Sequence, residues 1–201
     1  MRISSIFLII FFMAKIVLAI SDAEHLNYSP ECQKYFQAIK DKNISLLPML
    51  ARSNSGQCRD YQGRSAMHIF AGIDYFNISY DYIDDFIIRT LIYLGNEDIN
   101  VSDYYFNTPL MLAAGLGKYS TVAKLLSYPI LSDKQYNYMI NQQNYLGFTA
   151  LHYAVIARDY KTIKMLLNSG ADRYVKDKNN RSFIDLAQLL ERDMALMAFT
   201  N

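Results

Sequence analysis

From Ile6 to Ala14 the chain is apolar without a break. Arg2 precedes the run, Lys15 follows it, and Val17-Leu18-Ala19 then leads to the polar Ser21-Asp22-Ala23-Glu24. The run falls short of the ~20 residues of a spanning helix, and it has no polar face with which to sit on a globular surface. The pattern predicts a secretory leader over residues 1–19, cleaved to leave a chain starting near Ile20. An uncleaved anchor with Lys15 snorkelling to the interface is the alternative. Beyond the leader, apolar positions come in paired short blocks. Thr108-Pro109-Leu110-Met111-Leu112-Ala113-Ala114 is followed, past Gly117, by Val122 and Leu125-Leu126. Thr149-Ala150-Leu151-His152-Tyr153-Ala154 is followed by Ile163, Met165 and Leu166-Leu167. Thr108 and Thr149 stand where a helix N-cap belongs, each with a hydroxyl for an orphan amide, and Pro109 suits the first helical position. Each block therefore predicts helix, turn, helix. The leucine pairs form a face that no single helix pair can bury, which requires stacked neighbours.

The second block extends back to Asn144-Tyr145-Leu146-Gly147-Phe148 and on to Asn168-Ser169-Gly170-Ala171-Asp172, and this whole stretch resembles an ankyrin repeat. The resemblance rests on the family's T-P-L-H-x-A motif, altered here only at Ala150, on the leucine-rich second helix, and on the closing Gly-Ala-Asp. In the preceding copy the motif's histidine is Met111. A third copy runs from Asp60-Tyr61-Gln62-Gly63-Arg64-Ser65-Ala66-Met67-His68 to Ala71, with a second helix expected over Asp84 to Leu94 and a stop at Gly95. A degenerate copy from Asp177 to Ala187 runs into Leu189-Leu190 and is similar to a C-terminal cap. Ala38 to Leu47 resembles an N-terminal half-repeat, in which Pro48 would interrupt a helix begun at Ile44 unless it sits in a bend. The resemblance implies an all-α ankyrin-repeat solenoid of stacked helix-turn-helix units with projecting β-turns. Its expected divisions are a half-repeat over 31–59, repeats over 60–101, 103–143 and 144–176, and a cap over 177–201.

Gly63 and Gly147 fall where the turn needs a left-handed backbone, and Asn180 takes that place in the cap. Phe106 takes it in the second repeat, so that turn is either remodelled or strained. Ser65 to Thr108 is 43 residues, Thr108 to Thr149 is 41 and Thr149 to Ser182 is 33, the last being the ordinary ankyrin period. Two insertions follow, around 74–82 and 128–138, both expected as surface loops.

At 52% hydrophobic and 19% charged the 201-residue chain has the composition of a folded protein, and its formal charge of +1 gives nothing to steer it toward nucleic acid. The two cysteines, Cys32 and Cys58, suggest one disulfide behind an export signal, with two buried thiols as the alternative. By the ankyrin register both fall on the turn-bearing edge of successive N-terminal repeats. His25, His68 and His152 are the only histidines. Two share one repeat position, where a structural hydrogen bond explains them better than catalysis. No zinc spacing, nucleophile elbow or phosphate loop is present, so no catalytic residue, metal or cofactor is expected. Asp74, Asp81, Asp84 and Asp85 lack the alternation of a calcium loop, and the last three suit the positive end of a helix. Asn-x-Ser triplets at Asn27, Asn43, Asn77, Asn100 and Asn180 are weak signals in an asparagine-rich chain.

Tyr61, Tyr104 and Tyr145 fall at one repeat position, which the resemblance implies is the tip of the turn beside the concave groove. Tyr105, Arg64, Phe148 and Arg181 fall at neighbouring tip positions. Aromatic rings with arginine make the composition of protein-binding hot spots; rings that only fill gaps between turns are the competing reading. The sequence thus points to an exported, periplasmic or secreted, non-enzymatic module for an unidentified protein partner. The competing readings are an assembly protein tethered by an uncleaved anchor, the one case that would involve a membrane, and an enzyme with its site in the insertions.

Overall fold

A computed structural model describes residues 29–54, 57–72, 81–128 and 132–190. The leader, His25, Asn27, Asn77, Asp74 and most of the 74–82 insertion lie outside the described residues. Ten helices are present among those described: α1 (Pro30–Lys40), α2 (Leu47–Asn54), α3 (Ala66–Gly72), α4 (Asp81–Tyr93), α5 (Pro109–Gly115), α6 (Tyr119–Leu126), α7 (Asp133–Asn141), α8 (Ala150–Ala157), α9 (Tyr160–Asn168) and α10 (Phe183–Leu189). None of them is long and apolar enough to cross a membrane.

The helices pair in sequence, α1 on α2, α3 on α4, α5 on α6 and α8 on α9, and the pairs stack. The first helices α1, α3, α5, α8 and α10 lie side by side in one row, and α2 packs on α4 and α6 on α9 in the other. Alanines at the contact make the first row possible. Ala66, Ala71, Ala113, Ala114, Ala154 and Ala187 are fully buried, and their small side chains let neighbouring helices approach closely. The second helices contribute Ile87, Ile88, Leu91, Val122, Leu125, Ile163 and Leu166 to the same core. An apolar face exposed on any one pair is covered by the next, so the core runs continuously along the stack.

Local chemistry sets the helix ends. The Thr108 hydroxyl accepts the Met111 amide at 3.3 Å, with Pro109 at the first helical position. Ser182 and Asp185 cap α10 reciprocally, the Asp185 amide reaching Ser182 Oγ at 3.3 Å and the Ser182 amide reaching Asp185 at 2.8 Å. These hydrogen bonds hold the Asp185 carboxyl below its ordinary range. The N-terminal half-repeat differs from the expectation of a helix begun at Ile44. The α2 helix starts at Leu47, the Asn43 side chain accepts the Leu46 amide at 3.0 Å, and Pro48 falls in the first turn, where its missing N–H is not needed. The α4 helix begins three residues earlier than the expected Asp84. Its Asp84 is buried and meets Lys42 Nζ at 3.0 Å and Lys124 Nζ at 3.7 Å, tying three successive units together.

The 128–138 insertion is largely helical, contrary to the expected loop; residues 129–131 lie outside the described residues. A Ser132/Gln135 capping box opens α7, and Met139 and Ile140 anchor it in the core. Gln142 Nε2 donates to Ser102 Oγ at 2.9 Å, and Asn141 Oδ1 accepts the Asp172 amide at 2.7 Å, so both neighbouring repeats hold it in place. Cys32 on α1 and Cys58, ahead of the first turn, form a disulfide with Cα atoms 5.4 Å apart.

Candidate protein-interaction surface

Four five-residue turns, 60–64, 103–107, 144–148 and 177–181, each lead into a first helix, and all four are built alike. The opening residue is Asp60, Asp103, Asn144 or Asp177, buried in every case. Its Oδ1 accepts the amides two and four residues on, at 2.8 to 2.9 Å. Its own amide donates to the carbonyl of the fifth residue, at 2.9 to 3.0 Å. A short carboxylate or carboxamide is the side chain that can do this, which explains the residue type. The turns are also joined to one another. Tyr104 N–H donates to Gln62 O at 2.9 Å, Tyr145 N–H to Tyr105 O at 2.9 Å, and Lys178 N–H to Leu146 O at 3.0 Å. The tips therefore form one continuous, backbone-bonded row.

The fourth residue of each turn has a positive φ: 76° at Gly63, 61° at Phe106, 80° at Gly147 and 61° at Asn180. Three of these are residues that tolerate the left-handed region. Phe106 is not, and the conformation costs about 1–2 kcal/mol for a residue with a Cβ. The second turn is strained rather than remodelled, because its Phe106 N–H donates to Asp103 O at 3.0 Å just as Gly63 N–H donates to Asp60 O at 2.9 Å.

Of the residues singled out in the sequence, the structure brings four tyrosines to the solvent side of this row. Tyr104 is 71% exposed, Tyr145 61%, Tyr105 53% and Tyr61 37%. Phe106, at 56%, completes three consecutive exposed rings on the second turn; its place at the left-handed position of the repeat was the signal in the sequence. The Tyr104 ring lies against Gly63, where a Cβ would come within 2.5 Å of the ring. Lys178 Nζ sits 3.8 Å from the centroid of the Tyr145 ring, a cation–π contact.

Arg64, Phe148 and Arg181 do not belong to that surface. All three are the fifth residue of their turns, where the chain bends inward to start the helix. Arg64 is buried and its Nε donates to Asp60. Phe148 is buried, stacked on His152 with centroids 5.6 Å apart and edge-on to Tyr153. Arg181 pairs with Asp177 at 2.6 Å and is largely covered. The sequence register placed them on the turns but gave no direction for their side chains.

Beneath the tips, side-chain hydrogen bonds link one repeat to the next. His68 Nε2 donates to Asn107 O of the next turn at 2.9 Å, and its Nδ1 accepts the Ser65 amide at 3.2 Å. His152 repeats this with Arg181 O at 3.3 Å and the Thr149 amide at 3.2 Å. Burial pushes the His68 imidazole down to about 4 and lowers that of His152, so both are neutral at physiological pH and serve as inter-repeat struts. At Met111, which cannot make this bond, a different network links the neighbours. Asn144 Nδ2 donates to Asn107 Oδ1 at 2.8 Å and to Tyr153 Oη at 3.0 Å, and Tyr153 Oη donates to Asn107 Oδ1 at 2.9 Å. Among the described residues no group of three or more His, Cys, Asp or Glu could hold a metal ion.

Comparison with known proteins agrees with this architecture. The family model for ankyrin repeats matches residues 79–177 as three copies. The chain is 34% identical over 97 residues to "Probable palmitoyltransferase AKR2" of Saccharomyces uvarum, covering 47% of this chain and 12% of that protein. It is 30% identical over 106 residues to the mitochondrial disaggregase of Bos taurus, covering 52% and 15%. Against ankyrin repeat protein T5 of rabbit fibroma virus it is 30% identical over 107 residues, covering 51% and 20%. The matched span is thus at most about a fifth of the length of these three relatives. The matched span consists of ankyrin repeats, and the chain belongs to the ankyrin-repeat family.

Proposed function

We propose that this protein is a non-catalytic interaction module that binds a protein partner through the row of turn tips and the adjoining face of the first helices. Ankyrin repeats generally mediate protein-protein interaction, and one observation carries the assignment of the surface. Tyr61, Tyr104, Tyr105 and Tyr145 stand exposed on turns that are hydrogen-bonded into a rigid ladder. Rings presented by a preorganised backbone lose little entropy on docking, which is what makes aromatic hot spots effective. The two described histidines support the non-catalytic reading, since each is buried, neutral and occupied at both ring nitrogens. The Cys32–Cys58 disulfide supports a site of action in an oxidising, extracytoplasmic compartment.

The test uses a partner captured from the cell of origin on the immobilised protein. Replacing Tyr104 and Tyr145 together by alanine weakens its binding by about 2 kcal/mol or more and leaves the melting temperature nearly unchanged. A loss of several kcal/mol of stability instead would make the rings part of the core. Unchanged affinity together with unchanged stability defeats the assignment of this surface.

A further inference from the structure

Phe106 is the one residue of the turn row whose side chain is unsuited to the left-handed position it occupies. Gly63, Gly147 and Asn180 make the same backbone bond from the same left-handed position without a bulky side chain. The Phe106 ring is 56% exposed, so burial does not offset the strain. A residue that strains its own turn and leaves its ring in water contributes most plainly to something outside the chain. It stands beside Tyr104 and Tyr105, making three consecutive exposed rings on one rigid turn.

Charge along the row is equally uneven. From Tyr61 to Gly147 the second, third and fourth turn residues are Tyr61, Gln62, Gly63, Tyr104, Tyr105, Phe106, Tyr145, Leu146 and Gly147, all uncharged. The charges of Asp60 and Asp103 point inward to backbone amides, and Arg64 is paired with Asp60. The row then ends, one turn beyond Tyr145, at the exposed Lys178. Its Nζ lies over the Tyr145 ring, and no carboxylate of the described residues pairs with it.

We infer that Phe106, with Tyr104 and Tyr105, is the anchor of the interaction surface and that Lys178 is its charged end. The occupant is a peptide segment of a partner protein that carries an apolar or aromatic cluster followed by carboxylates. Exposed rings without competing charges receive the apolar cluster, and the cation held over Tyr145 receives the acidic residues. This inference rests on the interaction reading of the turn row and adds the anchor, the polarity and the partner chemistry.

Peptides selected from a random twelve-residue library on the immobilised full-length chain test it, with affinities measured by fluorescence anisotropy. The expected winners combine at least two apolar or aromatic residues with two or more carboxylates. They bind about tenfold more weakly to Phe106→Gly and to Phe106→Asn, variants that melt no lower than the parent because each relieves the positive φ. Lys178→Glu weakens the same peptides, and raising the salt concentration narrows the gap between Lys178→Glu and the parent. Selection of basic peptides, or of none, overturns the partner chemistry. Full affinity in both Phe106 variants, with binding lost in the Tyr104→Ala and Tyr145→Ala double variant, overturns the anchor while leaving the surface in place. A clear fall in melting temperature in both Phe106 variants makes Phe106 structural and overturns it as well. If neither the Phe106 variants nor the tyrosine pair changes affinity, the interaction reading fails too.

Discussion

His68 and Glu97 are buried titratable groups with opposite pH dependence. Burial pushes the His68 imidazole from 6.5 to about 4, so the folded protein refuses a proton that the unfolded chain accepts. Between those values its contribution to stability falls as pH falls, by up to about 1.4 kcal/mol per unit. Burial pushes the Glu97 carboxyl the other way, from 4.5 up to about 7, with the positive charge of Arg59 opposing the shift. The folded state then holds a proton that the unfolded chain has released, so this contribution falls as pH rises from 4.5 to 7. The two slopes nearly cancel between pH 4.5 and 6.5. Glu97→Gln removes one of them. Its melting temperature, measured against pH, should drop more steeply on acidification below 6.5 than the parent's, and a parallel curve would show that Glu97 is not titrating there. None of this was legible in the sequence, where Glu97 is one of many loop carboxylates; its burial depends on what packs over it. The histidine role was legible, because position and neighbours recur in the repeat.

The turns show how one backbone position can carry two separate demands. At Gly147 φ is 80°, and a Cβ would also come within 2.8 Å of the Lys178 amide nitrogen and 2.9 Å of Asp177 Cα, both on the next turn. At Gly170 φ is 91°, and nothing lies within 4 Å of a Cβ. Alanine at Gly170 should cost only the left-handed penalty of about 1–2 kcal/mol. Alanine at Gly147 should cost measurably more, because it also forces two hydrogen-bonded turns apart. Denaturant unfolding of the two variants isolates the inter-turn contact, and equal losses would mean that the turns move apart freely. The helix pairs themselves were readable from caps, alanines and leucine pairs. The α7 helix was not, although Ser132 and Gln135 carry a capping-box signature. Its amphipathic stripe is short, and only the neighbouring repeats, gripping Gln142 and Asn141, fix it against the solenoid.

A solenoid depends on its ends, where one face of the core has no neighbour. The disulfide closes a separation of 26 residues between α1 and the approach to the first turn, which on the chain-entropy model stabilises the fold by about 3.5 kcal/mol. Reduction should lower the melting temperature and raise hydrogen exchange first in α1 and α2, with the α8–α9 pair protected longest. Uniform loss of protection would mean that the repeats unfold as one unit. The disulfide and the Lys42–Asp84 ion pair act at the same N-terminal end.

The sequence by itself determined the repeat, its register, the N-caps, the left-handed positions and the tyrosine row, because each is a local requirement that recurs with the same residue types. Tertiary structure decided what local chemistry leaves open: which way the fifth turn residue points, which carboxylates are buried, and which groups meet across repeats. Arg64 and Phe148 turn inward because the chain must bend there to place the next helix on its neighbour. Asp84 meets lysines roughly forty residues away on either side because stacking sets those distances. Such contacts belong to the assembled stack, and no spacing along the chain records them.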